Sequence, residues 1–317
     1  MTERVRVDSP TEGRNPRTVD IDSVETSSVL ELLNDEDARV AAAVRAAIPV
    51  LTRLVDVAVE RYAAGGTIHY FGAGTSGRLA LLDAAELPPT FSADPERVVA
   101  HHAGGSAAAS RAREATEDDR DSGREAASDV AAGDVAIGIA ASGRTPFVAG
   151  ALEAAHDVGA FTALVSSAPD APIADLADIH VLTDTGPEAI AGSTRLKAGT
   201  AHKLVLNSFS TALMVRLGKT YSNLMVDMRP ANAKLAGRVL RIIEEATGVS
   251  NEDAAVALAE ADDDPRVAIV HLLTGADMDA SRAALGTAGG RVKTAIDTTR
   301  SGPAGRAHPA PTGLPME

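Results

Sequence analysis

The sequence predicts an α/β fold in which helices cover both faces of a doubly wound, parallel five-stranded sheet. From residue 67 onward, short apolar runs with β propensity alternate with stretches of helical periodicity. Strands that alternate with helices pair in parallel through right-handed crossovers, which makes three layers. The candidate strands are residues 67–71, 97–103, 134–140, 161–166 and 179–183, and the candidate helices between them are residues 78–86, 106–127, 145–158 and 173–177.

Composition excludes several classes of function. The 317 residues include no cysteine, which excludes disulfides, thiolate zinc sites and a cysteine nucleophile. Because 44 acidic residues outnumber 30 basic ones, the net charge of −14 would repel nucleic acid and anionic membranes. The sequence has no long apolar run and no hydrophobic leader, so we expect a cytoplasmic protein.

Helices are predicted on the N-terminal side of the sheet. Residues 1–20 are polar and aperiodic, which indicates an extended arm, and a short helical pattern covers residues 27–33. Residues 38–64 form a long amphipathic pattern with apolar side chains three and four positions apart. Pro49 lies inside this pattern and is expected to kink or break the helix.

Residues 193–218 are predicted to form a long helix that is apolar on more than one face. Such a helix is buried in its own domain or against a second subunit, and we expect a homodimer. After residue 232 the strands stop. Five short helical patterns follow, at residues 233–247, 251–261, 264–274, 277–286 and 290–297, with Gly248 and Gly275 as predicted C-caps.

A strand, a glycine-rich loop and a helix start follow one another from residue 67. The loop, residues 72–77, reads GAGTSG. A helix N-terminus presents unpaired N–H groups and partial positive charge, and glycines let an anion approach the backbone. Thr75 and Ser76 add hydroxyl donors. The pattern indicates an anion site, and a purely structural turn is the alternative.

A second stretch repeats this layout. Residues 138–148, GIAASGRTPFV, place Ser142 and Thr145 between an apolar strand and a helix that has Pro146 near its first turn. Two such loops on strands of one parallel sheet can converge on a single phosphate. We therefore predict a phosphate or phosphosugar site that both loops form.

Two glutamates lie near these loops. Glu86 is expected to end the first helix, immediately before Pro88 and Pro89, where the helix dipole raises the proton affinity of a carboxylate. Glu117 lies in EATEDD, inside the helix expected at residues 106–127. From spacing alone, surface glutamates on solvated acidic faces are the simpler explanation of both.

Residues 192–203, GSTRLKAGTAHK, bring hydroxyl and cationic side chains to a predicted helix start. Ser193 and Lys197 would suit a second anionic group, and a helix N-cap at Ser193 or Thr194 is the alternative. We expect no metal, because no HExxH-like spacing occurs. His101 and His102 are adjacent in a strand and point to opposite faces.

Together these motifs resemble those of the N-acetylmuramic acid 6-phosphate etherases of the sugar isomerase (SIS) superfamily. The matching segments are TEGRN (11–15), NDED (34–37), GAGTSGRL (72–79), DAAELPPTF (83–91), AGG (103–105), EATEDD (114–119), GIAASGRTPFV (138–148), GSTRLKAGTAHKLVLN (192–207) and NLMVDM (223–228). Glucokinase regulatory proteins share the fold, but two such domains in a longer chain are expected there.

The resemblance also implies a domain organisation. It consists of an N-terminal arm and helices at residues 1–57, a SIS phosphosugar-binding domain at 58–221, a small ubiquitin-associated-like (UBA-like) helical domain at 222–300 and a flexible tail at 301–317.

The resemblance implies cleavage of the D-lactyl ether of N-acetylmuramic acid 6-phosphate without metal or nucleotide. In the open-chain sugar the C1 aldehyde acidifies the C2 proton, and the C3 ether is a leaving group, so one carboxylate can remove the proton and another can protonate the departing oxygen. We assign proton donation to Glu86, and deprotonation or water addition to Glu117. The residues implied for substrate and phosphate binding are Thr75, Ser76, Gly77, Ser142, Gly143, Thr145, Ser193 and Lys197.

Two other functions are compatible with the same phosphate site. One is a non-catalytic phosphosugar sensor, which has no need of two glutamates. The other is an aldose–ketose phosphosugar isomerase, which would also use a carboxylate at C2.

Overall fold

The computed structural model describes residues 9–105, 108, 116–228 and 233–301. Three predicted segments lie outside these residues. They are the start of the arm, nearly all of residues 106–115 of the helix predicted at 106–127, and the tail after residue 301. The chain divides into two compact units. One comprises the described residues up to Leu87 together with Asp94–Leu213, and the other comprises Pro88–Ala93 with the described residues from Met214 onward.

The first unit is built on five parallel strands in the order β2-β1-β3-β4-β5, which confirms the predicted sheet. The strands are β1 (Ile68–Gly72), β2 (Val98–His102), β3 (Val135–Ile139), β4 (Phe161–Ser166) and β5 (Ile179–Leu182). Every residue of β1 and β3 is buried, as a sheet covered on both faces requires. The chain direction across the sheet reverses at β1, which lies between β2 and β3. In sheets of this kind ligands bind at such a reversal, beyond the carboxyl ends of the strands.

Six helices lie wholly or mostly in the described part of the first unit. They are α1 (Thr26–Asp37), α2 (Val40–Ala63), α3 (Gly74–Phe91), α4 (Arg120–Ala126), α5 (Pro146–Asp157) and α6 (Lys197–Arg216), with 3-10 turns at Pro10–Glu12 and Ala174–Leu176. No helix in the described ranges combines the length and apolar character needed to span a membrane.

The structure contradicts a break at Pro49, one of the two outcomes expected there, and the helix end expected before Pro88. Pro49 lies inside α2 at an exposed position, where water can bond the carbonyl that the proline leaves without an N–H partner. Helix α3 continues through Pro88 and Pro89 to Phe91. Its backbone bonding resumes at once, because the Ser92 N–H donates to the Pro88 carbonyl at 3.0 Å. In both helices the rest of the hydrogen-bonded ladder and the buried apolar side chains offset the lost bonds.

Two helix predictions differ from the structure in the described residues. Residues 116–119 are not helical, and Asp119 caps α4 by accepting a hydrogen bond from the Ser122 N–H at 2.9 Å, so Glu117 precedes this helix instead of lying inside one. Helix α6 begins at Lys197 and not at residue 193. Neither Ser193 nor Thr194, the alternative N-caps, caps this helix. The buried Glu188 accepts hydrogen bonds from its first N–H groups instead.

A buried ion network fixes the N-terminal arm to the sheet unit. The Glu36 carboxylate accepts hydrogen bonds from Asn15 at 2.8 Å and from the Lys197 ammonium at 2.6 Å, and it forms an ion pair with Arg17. Glu36 and Lys197 are both almost fully buried. The Arg17 hydrogen bonds, with those from Lys197 and Asn15, hold the pKa of Glu36 at about 2 against the opposing effect of burial.

The second unit is helical, as predicted, apart from a small hairpin that the sequence analysis missed. The hairpin pairs β6 (Thr220–Tyr221) with β7 (Leu224–Met225). The helices are α7 (Ala233–Thr247), α8 (Asn251–Glu260), α9 (Pro265–Thr274), α10 (Met278–Thr287) and α11 (Val292–Ser301). Gly275 caps α9 in the left-handed conformation with φ of 71°, and this confirms its prediction as a C-cap.

Replacing Glu36 by Gln is expected to lower the free energy of unfolding at neutral pH by about 3 kcal/mol, because it leaves the Lys197 ammonium buried without its counter-charge. The pKa of Glu36 is lower in the folded chain than its ordinary value of 4.5, so its contribution is complete above 4.5 and is lost as the pH falls towards about 2. Urea unfolding at a series of pH values should therefore show the wild type and E36Q converging in acid.

The matched control is Glu31→Gln, which changes an exposed carboxylate on the same helix and should leave stability nearly unchanged. An E36Q variant as stable as the wild type at pH 7 would contradict a stabilising network.

Candidate active site

Two loops leave the same edge of the sheet side by side. Gly72, the last residue of β1, is paired with Ile139, the last residue of β3. The first loop (residues 72–77) includes the first turn of α3, which begins at Gly74, and the second loop (residues 140–145) leads into α5. The predicted motifs are therefore neighbours at the carboxyl end of the sheet, where the chain direction reverses.

The glycines of the first loop bring α3 against the end of β1. A Cβ on Gly77 would lie 2.5 Å from the Gly72 carbonyl oxygen and 2.6 Å from a ring carbon of His102. Gly74 has φ of 53°, which favours glycine. Gly77 therefore serves close helix–strand packing, and this packing directs the first N–H groups of α3 towards the sheet edge.

Three of the predicted hydroxyl groups are available to a ligand. The side chains of Thr75, Ser142 and Thr145 are partly exposed, and their hydroxyl groups have no hydrogen-bond partner among the described residues. Thr145 occupies the N-cap position of α5 without bonding its own helix. Gly143, with φ of 60°, lets the second loop turn tightly against Ala171. An anion at the sheet edge would therefore meet hydroxyl donors from both loops.

The hydroxyl of Ser76, by contrast, faces the protein interior. Ser76 is buried, and its Oγ lies 3.4 Å from Nδ1 of His202 on α6. The pKa of His202 is lowered to about 4, because burial disfavours the charged imidazolium. Sequence reasoning noted His202 only as one of several polar residues near a helix start, and its pairing with Ser76 had no local signal.

Glu117 is held beside the second loop by the backbone. Its carbonyl accepts a hydrogen bond from the Phe147 N–H at 3.0 Å, in the first turn of α5. Helices α4 and α5 touch through glycines: a Cβ on Gly123 would lie 2.0 Å from the Phe147 carbonyl oxygen, and one on Gly150 would lie 2.0 Å from that of Arg120. The Glu117 side chain is exposed and not fixed by this bond.

Glu86 lies on α3, three residues after a buried aspartate that fixes the helix. Asp83 accepts hydrogen bonds from the Tyr70 hydroxyl at 3.1 Å and the Ser210 hydroxyl at 3.0 Å, and burial raises its pKa. Asp83 thus ties α3 to β1 and α6, while the Glu86 side chain is exposed. Because α3 ends at Phe91, Glu86 lies in the helix body, and the helix-end argument for its proton affinity does not apply.

The protein's own carboxylates occupy the second predicted anion site. Glu188, fully buried, accepts hydrogen bonds from the backbone N–H groups of Lys197 and Ala198, both at 2.9 Å. Burial is the main cause of the raised pKa of Glu188. The Lys197 ammonium is paired with Glu36, and Ser193 lies before the helix. The expectation that Ser193 and Lys197 meet a second anion therefore competes with internal partners already in place.

The two strand histidines are engaged separately. The ring of His101 stacks on Phe71 with centroids 4.5 Å apart, and its Nε2 lies 3.1 Å from Nδ1 of His69. His102 is buried, with Nδ1 2.7 Å from the Ala103 carbonyl oxygen.

Comparison with known proteins gives consistent results. Residues 50–156 match the glucokinase regulatory protein N-terminal SIS domain family. An N-acetylmuramic acid 6-phosphate etherase from Thermobifida fusca (strain YX) is 58% identical over 268 residues, which cover 84% of this chain and 88% of the relative. An etherase of the same name from Cutibacterium acnes is 50% identical over 289 residues, which cover 90% and 95%.

Among solved structures, a phosphoheptose isomerase from Francisella tularensis is similar at 17% identity with a TM-score of 0.45, covering 60% of this chain and all of that one. This likeness is too distant to carry any argument about function.

Replacing Gly77 by Ala is expected to lower the free energy of unfolding by about 2 kcal/mol, because the new methyl group meets backbone atoms that cannot move aside. It should also weaken binding of a sugar phosphate, because α3 must shift from the sheet edge. Gly133→Ala is the matched control: a Cβ there meets nothing within 4 Å. Calorimetric titration and urea unfolding test both variants, and equal behaviour of the two would contradict the packing role.

Proposed function

Because this chain belongs to the N-acetylmuramic acid 6-phosphate etherase family, we propose that it cleaves the D-lactyl ether of N-acetylmuramic acid 6-phosphate to give N-acetylglucosamine 6-phosphate and D-lactate. The observation that carries the proposal is the pairing of Gly72 with Ile139, which brings two loops to one edge of the sheet. In the part of the chain that the structure describes, the Thr75, Ser142 and Thr145 hydroxyls of these loops have no hydrogen-bond partner. The enzyme class that fits this reaction is a carbon–oxygen lyase acting by elimination followed by water addition.

The substrate phosphate is assigned to the N-terminus of α3 and to the hydroxyl groups around it. The first N–H groups of a helix have no intrahelical partner and carry partial positive charge, which suits a phosphate. Thr75, Ser142 and Thr145 supply hydroxyl donors, and Ser76 supplies a backbone N–H. The Gly77 N–H already donates to the Ala73 carbonyl at 3.2 Å, so Gly77 is assigned to the site through its close packing alone. No internal carboxylate caps α3 in the described residues, in contrast to α6.

The two glutamates are assigned to the elimination. In the open-chain sugar, one carboxylate removes the C2 proton, the C3–O bond breaks as the C2–C3 double bond forms, and the other group protonates the lactate oxygen. Water then adds across the double bond, so that its hydroxyl group bonds to C3 and a proton is delivered to C2. Glu86 is assigned as the proton donor, and Glu117 is assigned to deprotonation or water addition. The exposure of both side chains leaves them accessible to substrate.

The two alternatives are less well supported. A phosphosugar sensor would need the loops but neither glutamate, and the backbone bond between Phe147 and Glu117 holds the latter next to the second loop. A phosphosugar isomerase would transfer a proton between C1 and C2 and release no lactate. The relatives that share about half or more of their residues with this chain carry the etherase name.

The proposal also includes a cytoplasmic homodimer. The apolar side chains that suggested dimerisation, including Leu206, Phe209 and Leu213 on α6, are buried within the chain itself and do not support it. Support comes instead from α1 and α2, where Leu30 and Ile48 are 62% and 49% exposed. Exposed large apolar side chains on adjacent helices are suited to an interface.

Incubation with N-acetylmuramic acid 6-phosphate should release D-lactate and N-acetylglucosamine 6-phosphate in equal amounts. Glu86→Gln and Glu117→Gln should each lower kcat by at least about a hundredfold while retaining sugar phosphate binding, because general acid–base groups contribute about 10² to 10⁴ in rate. Glu96→Gln, at an exposed site before β2, is the matched control. A wild type that releases no D-lactate would exclude the proposed activity, and full turnover in either variant would exclude its assigned role.

Light scattering should give a mass of about twice 32.4 kDa, which is the mass of one chain. The double variant Leu30→Glu with Ile48→Glu should shift the mass to that of a monomer, because four charges would meet at the interface. Val256→Glu, at a residue 54% exposed on α8, is the control and should remain dimeric. A monomeric wild type would rule out the dimer.

A further inference from the structure

His202 links the first loop to the ends of two other strands. Its Nδ1 lies 3.4 Å from Ser76 Oγ, and its Nε2 lies 3.5 Å from Ser167 Oγ, which follows β4. Ser167 Oγ in turn lies 3.2 Å from the hydroxyl of Thr183, which follows β5. All four side chains are buried, so their protons must be shared among themselves and the nearby backbone.

The direction of each hydrogen bond follows from counting protons. The Thr183 hydroxyl donates its one proton to the Ser166 carbonyl at 3.1 Å, so it accepts from Ser167. Ser167 has then used its own proton and accepts from His202, which places a hydrogen on Nε2. In a neutral imidazole Nδ1 is then bare and can only accept, so the Ser76 hydroxyl donates to it.

The position of His202 is itself fixed. Glu188 binds the first N–H groups of α6, at Lys197 and Ala198, one turn before His202. Gly199 lets the helix approach the first loop, since a Cβ there would lie 3.3 Å from a methyl carbon of Thr75. The imidazole therefore has little freedom to turn away from Ser76.

We propose that His202 is a positioning residue for the phosphate site, and that it acts by accepting a hydrogen bond from the Ser76 hydroxyl and connecting the first loop to the ends of β4 and β5. This inference rests on the proposed function for the identity of the ligand. Its consequence is that Ser76 offers the phosphate its backbone N–H, while its hydroxyl proton is directed inward. His202 does not touch the substrate, so its loss should weaken phosphate binding more than it slows the chemical step.

Four variants test this role: His202→Leu, His202→Gln, Ser76→Ala and the S76A/H202L double variant. Binding of N-acetylglucosamine 6-phosphate is measured by calorimetry, and KM and kcat are measured by D-lactate release. H202L should raise Kd and KM about tenfold and change kcat by less than about threefold, which corresponds to one lost hydrogen bond. H202Q should stay within about threefold of the wild type, because its amide can accept from Ser76 and donate to Ser167.

The double variant decides whether His202 acts through Ser76. Its Kd should equal that of H202L alone, because the second change removes an interaction that is already lost. Independent, additive effects of the two changes would overturn the proposal, and so would an H202Q variant as weak in binding as H202L.

A measurement on the wild type keeps the test decisive if H202L does not fold. Proton–nitrogen correlation spectra of histidine-labelled protein, with H202Q used for assignment, should show His202 as a neutral ring that carries its hydrogen on Nε2. A hydrogen on Nδ1 or a charged ring at pH 7 would overturn the proposal. A wild type that binds the sugar phosphate but releases no D-lactate would instead reject the etherase activity and leave the binding and spectroscopic results to decide the role of His202.

Discussion

The parallel pairing of β1 with β3 is the constraint on which the candidate site depends. Both strands end at the paired residues Gly72 and Ile139, so both loops begin at the same height on the sheet. A slip of one residue would turn every side chain of β1 to the other face and move α3 away from the second loop. Gly77 helps to fix the position of α3 relative to β1, because the absence of a side chain lets the helix contact backbone atoms at the end of the strand.

The protein also controls which of its anion-binding positions stay open. At α6, the buried Glu188 occupies the helix N-terminus, and Glu36 neutralises Lys197, so positions that would attract a phosphate are already satisfied. Burying such charged groups requires partners for all of them, which the described residues provide. At α3 the arrangement is the reverse, because the side chain that points inward is a neutral serine bound to a neutral histidine.

The strands, the two loops and most helices were predictable because they depend on local patterns of apolar residues and glycines. The helix end expected before Pro88 was wrong, and α2 continues through Pro49 without the break that was one of two outcomes expected there, since packing over a whole helix outweighs the bonds that a proline removes. The roles of Glu188 and His202 could not be predicted, because their significance lies in contacts between distant residues: Ser76 and His202 are 126 positions apart. The N-cap at Asp119 could have been recognised from the sequence, because aspartate is a favoured N-cap residue. That assignment would have placed Glu117 before α4.

A phosphate site made of backbone N–H groups and hydroxyls suits an elimination that uses carboxylates. A free ammonium near such carboxylates would stabilise their charged form and lower their pKa. The base would then be weaker, and the intended acid would be ionised and have no proton to donate. Lys197 is buried and balanced by Glu36, so its charge is largely cancelled at a distance. Helix N–H groups and hydroxyls instead act at short range, because a dipole's influence decays faster than that of a charge. The charge of Lys197 therefore does not disturb the proposed acid and base, and the groups assigned to the phosphate act on it at short range.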